Sequence, residues 1–415
     1  MNLRLKCLIG AMIIASISVS GCKDKTSEPQ KEPSPSEEAP LPDKDSSDQS
    51  NDFNIKDPRL FEVKSGIPLP QEDQKAFDIL IKKIDPKRAL EMATTTITDE
   101  QYAKVKKFVN SDIINSSMSE EKKFETIFYW VVKNISYRPS PNDANSVFEN
   151  RCGVCGGYAN LLKVMLLSQN IPCIVVDGYY VSIGSQKDAH AWNYAYVNGR
   201  WIVADPTNNR KFEIDDEPSF IHLQPKKTDI AFFEDDKCKY GYNFGFCVTA
   251  IKSDHRVVSL PYSYDGYILT SFITSDSIPS NLKTLYISDN ITTIGENAYS
   301  LNQLDTSLEN IFISDNNESL NDYKGVVYKK ESEIPLYVPK SKTVIYLKPM
   351  ERVGKNALLA LNNLTELHFD KATKVIEDYA IEDCRNLKIA YIPSGTQVSD
   401  KAFVNVHQDF RIVRE

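Results

Sequence analysis

Residues 151–159 spell Arg-Cys-Gly-Val-Cys-Gly-Gly-Tyr-Ala, a single His-Ala-Trp-Asn follows at 190–193, and Asp205-Pro-Thr comes next. These are the parts of a thiol nucleophile. A cysteine reacts as its thiolate, and a free thiol is mostly protonated at neutral pH, so it needs a base or a positive neighbour. Both are available to Cys155. Tyr158, Leu161, Leu162, Met165 and Leu166 recur at helical spacing, so a helix is expected to begin just after Cys155. Its positive end and free N–H groups would then face the thiol. Gly153, Gly156 and Gly157 would let a substrate approach the backbone closely, which makes Gly156 a candidate substrate contact. The N–H of Cys155 is a candidate donor to the oxyanion of an acyl intermediate. His190 is the best base. Of the five histidines, His255, His368 and His407 lie outside this region or at its edge, and His222 has no supporting motif. Asp205 is the candidate acceptor for the other ring nitrogen, fixing tautomer and orientation.

The elements around these residues must bring them together. Asn198-Gly199 separates two strand-like runs, 189–197 and 200–206, and Asn-Gly between strands is a strong signal for a type I′ hairpin. With that turn, Val197 faces Arg200, Trp192 faces Asp205 and His190 faces Thr207. His190 and Asp205 then share a sheet face as diagonal neighbours, about 7–8 Å apart at the backbone, unless a bulge intervenes. Residues 174–181 form an apolar, β-branched run expected as a buried strand, with Cys173 an inert core cysteine beside it. Upstream, 76–84 and 102–114 are candidate helices. Ser117 and Glu120 fit a capping box ahead of Phe124, Ile127, Phe128, Val131 and Ile135, which repeat at helical spacing. Trp192 and Trp201 are expected to wall the site, with Trp192 a candidate substrate contact.

Other readings compete. Cys152-x-x-Cys155 fits a redox pair or half a zinc site, but two further ligands at matching spacing are not evident. Cys238 and Cys247 flank a short turn-like stretch and could form a disulfide.

The rest of the chain bounds the setting. With 415 residues, 41% of them hydrophobic and 26% charged, two or three domains are expected. A net charge of −8 without a long basic run argues against a nucleic-acid partner. Residues 1–22 look like an export signal: Arg4 and Lys6, an apolar run from Leu8 to Val19, then Val19-Ser-Gly-Cys22. The run is short for a membrane helix, so an uncleaved anchor is the weaker reading. Residues 23–58 are rich in Pro, Ser, Glu, Asp and Lys and should act as a disordered tether. Beyond 251 the texture becomes a repeat. Ile294-Gly-Glu-Asn-Ala298 matches Val353-Gly-Lys-Asn-Ala357, Ile376-Glu-Asp-Tyr-Ala380 and Val398-Ser-Asp-Lys-Ala402. Leu282, Leu285 and Ile287, then Leu364, Leu367 and Phe369, then Leu387, Ala390 and Ile392, fill a common Leu-x-x-Leu-x-Leu slot. A period in the low twenties with that slot means a solenoid, with an insertion around 317–342.

Three resemblances follow from these motifs. The signal resembles that of bacterial lipoproteins, which implies lipid on Cys22 and an extracytoplasmic protein held on the cell membrane or outer membrane. The repeats resemble BspA-like leucine-rich repeats, which implies a surface for a protein ligand. Gly153-Val-Cys-Gly-Gly-Tyr-Ala159, His190-Ala-Trp-Asn193 and Trp201-x-x-x-Asp205-Pro-Thr207 resemble the transglutaminase-like superfamily. That resemblance implies an α+β, papain-like core, a helix carrying Cys155 packed on an antiparallel sheet, over 59–250, followed by the repeats over 251–415. It implies a Cys155, His190, Asp205 triad acting without a cofactor or metal on protein or peptide amides, by hydrolysis or by amine transfer. Asn208-Asn209 stands where many relatives carry tryptophan, and the family's upstream oxyanion donor has no assignable residue. The alternative is a non-catalytic adhesion protein working through its repeats.

Overall fold

Apolar residues spaced along one face decide the helices, and the computed structural model shows where each begins. It describes residues 56–415 apart from 71–72, 92–96, 183–186, 215, 217–220, 244, 274–277 and 296–306. The export signal with Cys22, all of the tether before Lys56, and Ala298 lie outside the described residues. Helices α1 (Asp73–Ile81), α2 (Pro86–Glu91) and α3 (Asp99–Phe108) come first. Helix α3 starts earlier than the apolar pattern suggests, because Thr98 and Gln101 close a capping box, and it runs on into a π-helical turn, Val109–Ile113. Helix α4 (Glu120–Asn134) buries Phe124, Ile127, Phe128 and Val131 as their spacing requires. Its cap departs from expectation. Ser119, not Ser117, is the N-cap and accepts the Lys122 N–H, while Ser117 bonds the side chain of Asn115 in a local turn.

A strand pair, β1 (Ser136–Tyr137) and β2 (Cys152–Gly153), brackets α5 (Ala144–Asn150) and leads directly into α6 (Cys155–Leu167). From Gly157 to Leu167 every residue of α6 except Asn160 is buried. The antiparallel sheet beside it contains β3 (Cys173–Ser182), β4 (Lys187–Val197), β5 (Arg200–Asp205), β6 (Arg210–Glu213) and β7 (Ile221–Thr228), in the order β6-β5-β4-β3-β7. The hairpin register is the one its turn dictates: Val197 pairs with Arg200, and the ladder continues to Asn193 and Ala204. Asn198 and Gly199 have φ of 50° and 83°, both in the left-handed region that a type I′ turn needs.

Two cores lie on opposite faces of this sheet. Ala195, Val197, Ile202 and Ala204 pack with α4 and α6, whereas Trp192, Tyr194, Trp201 and Val203 pack with α1 and with repeat residues such as Leu285 and Ile311. Strands β8 (Phe233–Glu234), β9 (Cys238–Tyr242) and β10 (Phe246–Ile251) form a meander, and β10 pairs in parallel with Ser271–Phe272, which pairs with Thr293–Ile294. The change of texture at 251 is therefore crossed by a continuous sheet. Cys238 and Cys247 are not joined. Cys238 pairs with Ile251 and Cys247 with Gly241, on different rungs, and burial pushes each thiol up to about 12.

The remaining chain is a solenoid. In its second half each turn lays short strands into parallel ladders, one of them Val344–Tyr346, Glu366–His368, Ile389–Ile392 and Arg411–Arg414. Leu364, Leu367, Leu387, Ala390, Ile392, Ala380 and Ala402 are buried, as their slots require. The insertion is a three-stranded antiparallel sheet, Leu320–Tyr323, Val326–Lys329 and Pro335–Tyr337. The whole is α+β, a helix-on-sheet unit followed by a repeat solenoid.

One buried charge ties α6 to the sheet. Lys163 Nζ lies 2.6 Å from Asp229 Oδ2, and Asp229 Oδ1 accepts the Val175 N–H at 3.0 Å. Removing one partner of a buried pair strands the other charge, which costs about 3–5 kcal/mol. We expect Asp229→Ala to destabilise by about 3 kcal/mol, the low end because Asp229 is partly exposed, and Lys163→Met by clearly less, as read from urea unfolding.

Candidate active site

Cys155 is the first residue of α6 and is half-buried. Val154 before it is extended and offers no side-chain cap, so the first N–H groups of the helix are left for other partners. Three groups converge on the sulfur: the imidazole of His190, the N–H of Ala191 and the N–H of Gly156. The open edge of β4 makes this possible. Strand β5 pairs with β4 only as far as Asn193, which leaves the edge at Ala191 and His190 facing the start of α6.

His190 Nε2 lies 2.9 Å from Asp205 Oδ2, and both side chains are buried. The ring's remaining nitrogen is thus the one directed to Cys155. Asp205 Oδ1 accepts the Asn208 N–H at 3.2 Å, and Oδ2 accepts the Asn208 side-chain amide at 2.8 Å. That amide also lies 3.4 Å from His190 Nε2, but both nitrogens donate to Oδ2, so the two donors are only in contact. Tyr180 meets the imidazole edge-on at 6.0 Å, and Trp192 stacks behind it at 6.0 Å.

The electrostatics follow from these contacts. Burial works to raise the Cys155 pKa, yet the hydrogen bond and charge of His190, together with the Ala191 and Gly156 N–H groups, hold it below the ordinary thiol value. Burial likewise works to lower the His190 pKa, but the hydrogen bonds and negative charges of Asp205 and Cys155 outweigh it and raise it to about 9. The Cys155 shift is downward and the His190 shift is upward to about 9, and each favours the charged form, so the two groups stabilise a thiolate–imidazolium pair.

Two expected substrate contacts require correction. Trp192 is fully buried behind the imidazole, where it supports His190 and does not face a substrate. At Gly156 a Cβ would collide with Asn142 Oδ1, and at Gly157 with Val147 and the Pro141 carbonyl, so these glycines make room for the chain's own 141–147 segment. The redox pairing of Cys152 and Cys155 is also excluded in this conformation. Cys152 and Gly153 are in β2 and Val154 is extended. Three extended residues span about 10 Å, beyond the about 7 Å between Cα atoms that a disulfide bridges. Cys173 is fully buried, which drives its thiol far up and keeps it inert.

Residues 107–206, which contain Cys155, His190 and Asp205, match the transglutaminase-like superfamily. The chain carries a transglutaminase-like domain. Six copies of the BspA type leucine rich repeat match residues 275–324 and 337–408. Kyphoscoliosis peptidase of Mus musculus is 27% identical over 115 residues, 23% of this chain, and the chain spans only 17% of that relative's length. Among solved structures, Legionella pneumophila LapG is 11% identical with a TM-score of 0.25 over 36% of this chain and 85% of its own. The leucine rich repeat protein of T. pallidum is 15% identical with a TM-score of 0.21 over 43% of this chain and 85% of its own.

Several residues of the transglutaminase-like domain escaped the sequence reading. Asn193, the last residue of the His-Ala-Trp-Asn motif, donates from its side chain to the Ala159 carbonyl at 3.0 Å and so pins α6 to β4. Its place in the motif was the available signal. Asn208 covers Asp205, and Asn142 fills the space over Gly156, both through contacts that spacing does not reveal.

Iodoacetamide reacts with thiolate, so its rate against pH reports the Cys155 titration. We expect alkylation already fast at neutral pH, with an inflection below that of a free thiol. His190→Ala removes the largest factor lowering the Cys155 pKa and should move the inflection upward, above the ordinary thiol range, because burial then dominates.

Proposed function

We propose that this chain is a cysteine acyl-transfer enzyme acting on protein or peptide amides. The observation that carries the reading is the half-buried Cys155 thiol at the start of α6, whose pKa is lowered by the His190 imidazole, together with the 2.9 Å approach of that imidazole to the buried Asp205 carboxylate. In this reading the Cys155 thiolate attacks the amide carbonyl carbon, and the Cys155 N–H donates to the oxyanion. The His190 imidazolium gives its proton to the departing amine, which leaves a thioester on sulfur. His190, now neutral, takes a proton from water or from a second amine as it attacks the thioester. A carboxylic acid or a new amide is released, and the thiolate–imidazolium pair is restored. Asp205 keeps the imidazole oriented and stabilises its charged form. Water is the favoured acceptor, a choice supported by the peptidase name of the Mus musculus relative.

Cys155→Ala should abolish release of acid-soluble peptides from casein and ammonia release from glutamine-donor peptides. Wild-type-level activity in that variant would remove the assignment. Asp205→Asn should leave substrate affinity near wild type while lowering kcat between about 10² and 10⁴-fold.

The location is proposed on the N-terminal motif alone: lipid on Cys22 holds the enzyme to the outer face of a membrane, with the tether that follows it as a spacer. Cys22→Ser should abolish incorporation of labelled palmitate and shift the protein from the membrane to the soluble fraction. Unchanged labelling would refute lipidation at this residue and leave the catalytic reading intact.

A further inference from the structure

In the β5–β6 ladder Asp205 lies directly opposite Arg210. Residues so placed share a sheet face, with Cβ atoms about 4.5–5.5 Å apart, and opposite charges there attract. A planar guanidinium also matches a carboxylate with two parallel hydrogen bonds. The outcome to expect on this rung is an Arg210–Asp205 ion pair. It does not form. Arg210 makes no ion pair among the described residues, and its Nη1 donates instead to the Tyr180 hydroxyl at 3.0 Å, with the guanidinium carbon 5.6 Å from the centre of that ring.

The carboxylate that Arg210 forgoes is the one that holds the imidazole. Asp205 Oδ2 lies 2.9 Å from His190 Nε2 and accepts the Asn208 side-chain amide at 2.8 Å, while Oδ1 accepts the Asn208 N–H at 3.2 Å. A bidentate guanidinium takes both oxygens, so it would displace partners already there. The charged and titratable groups around the imidazole are Cys155 on α6, Asp205 on β5, Arg210 on β6 and Tyr180 on β3. On its own strand, exposed Asp188 lies opposite Tyr180 and makes no ion pair among the described residues. The bonds and charges of Asp205 and Cys155 raise the imidazole to about 9 against the effect of burial. Arg210 is the one cation of this set, and Tyr180 decides where it goes.

We propose that Tyr180 is a positioning residue whose hydroxyl holds Arg210 away from Asp205, so that the carboxylate stays with His190. The proposal rests on the catalytic reading of Cys155, His190 and Asp205. Without the hydroxyl the guanidinium turns back to its cross-strand neighbour, because the cation–π contact left at 5.6 Å is weak beside a charge-assisted pair. Asp205 then spends its charge on Arg210, and a cation moves closer to the imidazole. Both changes lower the His190 pKa, and His190 holds less firmly the proton that it gives to the departing amine.

Tyr180→Phe keeps the ring beside the imidazole and removes only the hydroxyl. Iodoacetamide alkylates Cys155 within the ion pair, and faster as a bare thiolate once the imidazolium titrates, so the rate against pH carries two inflections. In the full chain the upper one is expected near 9. Tyr180→Phe should lower it by about one unit and cut kcat for casein about tenfold with KM unchanged. In a chain carrying Arg210→Gln the same substitution should change neither quantity, because no competing cation remains. A merely structural role for the hydroxyl would cost the same in both backgrounds. Equal effects of Tyr180→Phe in the two backgrounds, no effect in the native one, or a larger loss from Arg210→Gln than from Tyr180→Phe would overturn the proposal. The catalytic reading is checked separately on the native chain: absence of Cys155-dependent casein cleavage would remove that reading, and this proposal with it.

Discussion

Helix α6 is apolar around nearly its whole circumference and has to be enclosed, with only its first turn left open. That requirement explains much of the architecture. Helices α4 and α5 cover one side, β3 and β4 the other, and the Lys163 ammonium that the enclosure traps is matched by Asp229. Segment 141–147 closes over the first turn at Gly156 and Gly157, where any side chain would hold it off. Enclosure fixes the helix axis, and a fixed axis fixes where the free N–H groups and the thiol of Cys155 point. The buried hydrogen bond from the Asn193 side-chain amide to the Ala159 carbonyl adds about 1 kcal/mol in net terms, but leaving either partner unpaired there would cost more, so it acts chiefly on register.

The nucleophile and the base arrive from opposite faces of the sheet. Asn193, Ala195 and Val197 of β4 point to the α6 side, while Trp192 and Tyr194, in phase with His190, point to the other core. They meet where β5 stops pairing and the β4 edge opens. At that edge the Ala191 N–H, which a longer β5 would have engaged, is free to serve the sulfur. The low-dielectric surroundings strengthen each of these contacts and would penalise an isolated charge, so thiolate and imidazolium stabilise one another or neither forms.

Local chemistry made part of this legible from the chain alone. Asn198-Gly199 dictates a turn with two positive φ values, and that turn dictates the register that puts His190 and Asp205 on one face. The solenoid was equally plain, because Leu364 and Leu387 recur in a slot that only stacking can bury. What remained hidden depends on tertiary neighbours. Ser117 and Ser119 are both good caps, and the choice between them rests on an Asx turn at Asn115. Glycines 156 and 157 looked like space for substrate, yet that space is filled from a segment about fifteen residues upstream, a contact no periodicity encodes. Trp192 resembled a wall open to the substrate, and alternation along β4 could not say how deep that wall lies. Cys238 and Cys247 seemed close in sequence, but the β9–β10 register, shifted between Val248 and Ala250, sets them on separate rungs.

The face of the sheet that carries His190 is not closed by the transglutaminase-like domain alone. Trp192, the ring behind the imidazole, belongs to the same core as Leu285, Ile311 and Leu320 of the repeats, and the ladder through β10 runs on into Ser271–Phe272. The chain before α1 adds to the junction: Ile67 bonds the Gly266 carbonyl, and Lys56 to Phe61 lie on the first repeat ladder. Close-packed interiors transmit small displacements because they have little free volume to absorb them. Trp192, the ring behind His190, thus sits in a core that the first repeats share, while the core holding Cys155 lies across the sheet from it. The separation between sulfur and imidazole is set by two packings that meet only at the sheet, and the repeats are part of one of them.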